Sequence, residues 1–259
     1  MKGILIASGI AAAISCASVQ AAAISFDLLQ GTTYGKYYSS LSYEVSGLDL
    51  TVTAFSDTGG LFDNRIRTAG IGAWNGLGVC NRDEVVGSSC YSPAHSIDNS
   101  ADSFLGWADY DMLLLSFSSE VSLSGISLGW IGTDSDMSVL GFNGGQFSGF
   151  SSADTYSDLG ASGWSLVGQY ANVSNTAINA QNFVASTWLI GAYNPAFGSA
   201  GFSTGNDQFK IDGLQVTVAD TGEEPNPVPV SGTLALFSIG MAALGMRRLF
   251  GRGKSAQQI

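Results

Sequence analysis

The chain has 259 residues and a formal net charge of −11, a length that fits one large domain or two small ones. All 21 acidic residues lie between Asp27 and Glu224, where the only basic residues are Lys36, Arg65, Arg67, Arg82 and Lys210. Binding a phosphate backbone needs clustered Lys and Arg, so this balance argues against a nucleic-acid partner; it favours solubility and divalent cations.

Residues 1–23 carry one charge, Lys2, followed by an apolar run from Gly3 to Ser15. Val19-Gln20-Ala21 and Ala21-Ala22-Ala23 both fit a small-x-small cleavage rule, so the segment reads as a signal helix removed near Ala22 or Ile24. The run is short for a membrane crossing. Export implies an oxidising compartment. There Cys80 and Cys90 are expected to form a disulfide, and closing so short a loop is worth roughly 2–3 kcal/mol. A zinc site is the competing reading, but its ligand spacing is absent and His95 is the one histidine.

Residues 24–220 read as one all-β domain. Leu48-Asp49-Leu50-Thr51-Val52-Thr53-Ala54 alternates apolar and polar, as a half-buried strand does, and so does Leu214-Gln215-Val216-Thr217-Val218. Met112-Leu113-Leu114-Leu115 is continuously apolar and suits a central strand covered on both faces. Gly125 breaks the alternation between Val121-Ser122-Leu123 and Ile126-Ser127-Leu128, which signals a β-bulge; the same break recurs at Ile211-Asp212-Gly213-Leu214. Further strands are predicted over 165–170 and 186–193. No amphipathic helix is predicted between Ile24 and Asp220. Short strands with glycine-rich turns predict a β-sandwich of jelly-roll type.

Three chemistries suit this domain. Asp98, Asp134, Asp136, Asp207 and Asp212 stand in acidic or amide clusters, the kind of loop from which calcium takes its oxygens. No complete calcium-loop motif is present, and Asx residues also shape turns without metal. Glycan binding could use tryptophan faces, and Trp107, beside Asp109 and Asp111, is the candidate for stacking. At strand spacing, filling the core is the stronger reading for the tryptophans Trp74, Trp107, Trp130, Trp164 and Trp188. Hydrolysis of a glycan needs a pair of carboxylates, and no pair stands out. His95 is the sole possible base for a serine hydrolase, without a nucleophile motif to accompany it.

Residues 221–230 form a proline-rich linker, and 231–259 a separate tail. From Val228 to Met246 run 19 uncharged residues, enough for one membrane helix, and Arg247, Arg248, Arg252 and Lys254 follow. The positive-inside rule keeps those bases in the cytoplasm and the domain on the far side. The proline motif Pro227-Val228-Pro229, the Gly232-Thr233-Leu234-Ala235-Leu236 start and the Arg247-Arg248 pair resemble a PEP-CTERM sorting tail, although that family usually has Pro-Glu-Pro. The resemblance implies transient anchoring and processing by an exosortase, a membrane transpeptidase-like enzyme of Gram-negative-type bacteria. The alternative is an anchor that is never cut.

A second resemblance spans about Gly76 to Val218. Its segments include Ser92-Pro93-Ala94-His95, Asp134-Ser135-Asp136-Met137, Trp188-Leu189-Ile190-Gly191 and Asn206-Asp207-Gln208-Phe209. They are similar to exosortase-dependent surface proteins, which implies location and architecture but no activity. The expected protein is therefore a non-enzymatic cell-surface or extracellular-matrix protein that associates with extracellular polysaccharide. The alternatives are a calcium-dependent carbohydrate-binding module and an exported glycan hydrolase.

The intact mass of the protein recovered from cell surface and medium checks the tail. A C-terminus between Pro225 and Gly232 is expected; one still at Ile259 would mean a permanent anchor.

Overall fold

The computed structural model describes residues 23–57, 64–82, 85–86, 89–90, 95–100 and 109–219. The signal segment, the linker, the tail and Trp107 lie outside them. Among the described residues no helix is long and apolar enough to cross a membrane.

The fold is all-β. The chain begins with β1 (Ala23–Asp27), β2 (Lys36–Tyr38), β3 (Leu41–Val45), β4 (Leu48–Asp57), β5 (Ile66–Trp74) and β6 (Gly76–Cys80). Short strands follow: β7 (Val85–Val86), β8 (Ser89–Cys90) and β9 (Ile97–Asp98). Then come β10 (Tyr110–Ile131), β11 (Met137–Phe142), β12 (Trp164–Tyr170), β13 (Asn175–Ala177), β14 (Ala185–Ala192) and β15 (Gln208–Val218). Two 3-10 helices, Tyr156–Ser162 and Pro195–Phe197, complete the described elements.

All but β7 and β8 belong to one sheet, and that sheet closes on itself. The ring runs β10, β4, β5, β6, β15 and back to β10. It closes because β10 is 22 residues long. The first part of β10 pairs with β4, from Tyr110↔Asp57 to Phe117↔Leu50. Its second part pairs with β15, from Val121↔Val218 to Ile131↔Phe209. The opposite edge of β10 carries β14 and β13, and β11 and β12 extend an outer leaf from β14. The strand order is thus a barrel with outer strands.

The alternation in β4 is a burial alternation: Leu48, Leu50, Val52 and Ala54 point inward. The apolar run of β10 is covered on both faces. Leu113 and Leu115 enter the main core with Trp188, Ile190, Phe209 and Ile211. Met112 and Leu114 enter a second core with Tyr156, Leu159 and Trp164, which Phe142, Phe147 and Phe150 flank. The register slips between Leu123 and Gly125 of β10, and again where Asp212 of β15 is passed over. These are the bulges predicted at both glycine breaks. Bulges bend a strand and sharpen its twist, which a closing sheet requires.

Gly191 of β14 faces Met112 of β10 and Ser138 of β11. A Cβ there would overlap the carbonyl oxygen of Asp111 and the Met112 side chain. Gly191→Ala is expected to cost about 1–3 kcal/mol through this overpacking. Urea titration checks it, and an unchanged midpoint would mean that β14 does not sit this close to β10.

Candidate cation centre

Three carboxylates converge where the chain leaves the barrel for the outer leaf. Asp134 and Asp136 stand in the turn between β10 and β11, and Asp207 directly precedes β15. Their ligand atoms all lie within 4.8 Å of one another. Asp207 is 0% exposed and Asp136 4%, while Asp134 is half-buried.

The backbone holds this arrangement by stitching the turn to its neighbours. Gln208 N donates to Asp134 O at 3.0 Å, Tyr193 N to Asp136 O at 2.9 Å and Val173 N to Ser135 O at 3.1 Å. The start of β15, the residue after β14 and the chain beyond β12 are therefore tied to three successive carbonyls of one turn. The carboxylates are bonded as well. Asp207 accepts from Asp136 N at 2.8 Å and from Asn99 Nδ2 at 2.5 Å. Asp136 accepts from Asn172 N at 2.8 Å, and Asp134 from Asn206 Nδ2 at 2.8 Å. Asn99 itself is fixed by donating to Tyr193 O and accepting from Gly205 N and Asp207 N.

The electrostatics would favour a positive charge at this cluster. Burial, then the charges of Asp136 and Asp134, push Asp207 up to about 7. Burial likewise raises Asp136, helped by Asp134. Among the described residues, the charges acting on Asp207 are those of these two carboxylates. Asn206 Oδ1 is buried without a hydrogen-bond partner, on the same amide that bonds Asp134. Three carboxylates and an orphaned amide oxygen are hard-oxygen donors, the set that suits calcium.

The same electrostatics could belong to a hydrolase, since glycosidases pair one raised carboxyl with an ionised one. The geometry argues otherwise. A general acid must reach its substrate, whereas Asp207 is sealed from solvent with both oxygens already bonded.

The other predicted site residues go elsewhere. Asp98 is buried beside Ser96 Oγ at 2.9 Å and Ser100 N at 3.0 Å, and is not a member of the cluster. Asp212 accepts from Ser127 Oγ at 2.6 Å at the β15 bulge. The contributions of Asn99, Asn172 and Asn206 are local in no obvious way: Asn172 takes a left-handed φ of 52° to present its N–H to Asp136.

Trp164 and Trp188 are core residues. Trp74 and Trp130 are half-buried and hold the ammonium of Lys210 at 5.5 and 4.7 Å from their ring centroids. Lys210 is 4% exposed, and burial pulls it down to about 8. His95 lies against Trp74 at 3.9 Å between centroids; burial, then Lys210, pull it down to about 4, so it is neutral at pH 7. Cys80 is buried and disulfide-bonded, while the side chain of Cys90 lies outside the described residues.

No family model, curated protein or solved structure matches the chain.

Between about pH 4 and 7, Asp207 is protonated in the fold and ionised when unfolded. The folded state then binds more protons, so this group makes stability fall as pH rises through the window. His95 acts oppositely between about 4 and 6.5, being neutral only when folded. Asp207→Asn is expected to remove the acid-side gain and leave the His95 trend. Thermal midpoints in chelator across this pH range, compared between the two proteins, check it.

Proposed function

We propose that this chain is an exported, non-enzymatic surface or extracellular-matrix protein whose β-domain is locked by a divalent cation, calcium, at Asp134, Asp136 and Asp207. The observation that carries the cation is the cluster itself: three mutually close carboxylates, two of them buried, with no base acting on Asp207 among the described residues. Asn206 completes the donor set through its orphaned oxygen. A bound cation would let all three acids ionise, releasing the proton that Asp207 otherwise keeps, and affinity would fall in acid. It would also hold together the ends of β10, β14 and β15, so its role is to fix the seam between barrel and outer leaf.

The address rests on the sequence. The leader directs export, and the tail at Pro227, Pro229, Gly232, Arg247 and Arg248 serves an exosortase-type enzyme. The membrane is a partner until that cut, and extracellular polysaccharide is the partner after it. Cys80 pairs with Cys90, as expected outside the cell. The closed ring with its outer leaf is, in this reading, a variant of the jelly-roll type of β-sandwich.

Calcium at about 100 times its Kd is expected to raise the thermal midpoint by about 5–10 °C. Chelator should reverse the gain, and Asp136→Asn or Asp207→Asn should abolish it. A midpoint indifferent to millimolar calcium would end the cation reading.

A further inference from the structure

The outer leaf ends at β12, the last strand in the sheet order. Its inner side pairs with β11, and among the described residues no strand or loop bonds the backbone on its far side. A free strand margin presents N–H and C=O groups that can pair with another chain. Proteins guard such margins with charges, short strands or bulges.

The other margins of this sheet are guarded. β1 carries Asp27, β2 Lys36, β3 Glu44 and β9 Asp98, and β13 has only three residues. β12 differs from them. Its seven residues, Trp164-Ser165-Leu166-Val167-Gly168-Gln169-Tyr170, include no charge and no proline. Leu166 keeps 42% of its surface exposed. The one guard is a bulge: the register passes over Val167 between Leu140↔Leu166 and Val139↔Gly168. A bulge divides the margin into two short runs without covering either.

Charge is distributed in the same sense. The chain has 21 acidic residues against ten Lys and Arg, yet from Leu159 to Asn206 there is no Asp, Glu, Lys, Arg or His. That stretch supplies β12, β13 and β14, and β11 is uncharged as well. Two copies of so acidic a chain repel each other wherever their acidic surfaces meet. At the leaf they can approach without that repulsion.

We propose that two copies of this chain associate edge to edge through β12, in antiparallel pairing about a two-fold axis, so that the outer leaf becomes one sheet across the pair. An antiparallel edge is self-complementary. The axis sets the strand against its own copy, and its free N–H groups meet carbonyls. Leu166 then loses apolar surface to the second copy, which adds a hydrophobic contribution to the backbone bonds. One pair of seven-residue strands, interrupted by a bulge, stands at the low end of interface size, so the association is weak and reversible. It uses none of the carboxylates of the cation centre, and its failure would leave the calcium reading intact.

The test is sedimentation equilibrium of the protein recovered from cells, in calcium, from micromolar to submillimolar concentration, with hydrogen exchange at both ends of that range. A monomer–dimer equilibrium is expected, with exchange over 164–170 slowed only where the dimer forms. Added salt should tighten it, because salt screens the repulsion between acidic copies. Leu166→Lys should weaken it about tenfold or more, because the axis brings two like charges together at a closing margin. Tyr34→Lys adds a lysine at a side chain 72% exposed, outside the leaf, and should leave the dimer as it is. Both variants, measured where the parent is a monomer, should keep its thermal midpoint. A monomer throughout the range, a dimer that salt dissociates, equal weakening by both variants, or protection at another margin such as β1 or β3 would overturn the proposal. So would protection of 164–170 that appears only when cell-derived polysaccharide is added, because the glycan would then be the occupant.

Discussion

The architecture depends on one strand serving two structures. β10 runs for 22 residues and gives one edge to the barrel and the other to the outer leaf. Its two faces are apolar for different reasons. Leu113 and Leu115 fill the barrel core, and Met112 and Leu114 fill the core beneath the aromatic cluster. A strand buried on both sides needs neighbours on both edges to satisfy its backbone, and β4, β15, β13 and β14 provide them. The bulges at Gly125 and Asp212 then let a single strand turn far enough to close the ring.

That closure creates the electrostatic problem at its end. Where β10 gives way to β11, the chain crosses from barrel to leaf, and the turn brings Asp134 and Asp136 against Asp207. Each carboxylate is bonded by an amide from another part of the chain, which orients it without neutralising it. Oriented carboxylate oxygens, two of the three acids buried, are the conditions a hard cation meets best. Tyr193 ties the end of β14 to this cluster through its two backbone bonds, donating to Asp136 O and accepting from Asn99.

The tryptophans show how a polar surface feature can dissolve into packing. Trp164 and Trp188 belong to the cores, and Trp74 and Trp130 enclose the Lys210 ammonium. Burying that cation is costly, and two ring faces offset part of the cost.

Periodicity over a few residues carried the local structure. The alternation of residues 48–54 became β4, the apolar run at 112–115 became the doubly covered part of β10, and the phase breaks at Gly125 and Gly213 became bulges. These signals are local because a strand's two faces alternate residue by residue. The acidic turns at 134–136 and 206–207 were also legible as oxygen donors. Which of the five aspartates meet was not. Asp98 and Asp207 lie close through the pairing of β9 with β15, yet only Asp207 joins Asp134 and Asp136. Closure of the ring and convergence of Asp207 with Asp134 and Asp136 depend on contacts between residues separated by tens to more than a hundred positions. Such contacts are decided by how whole strands pair and bend, which no short window of sequence contains.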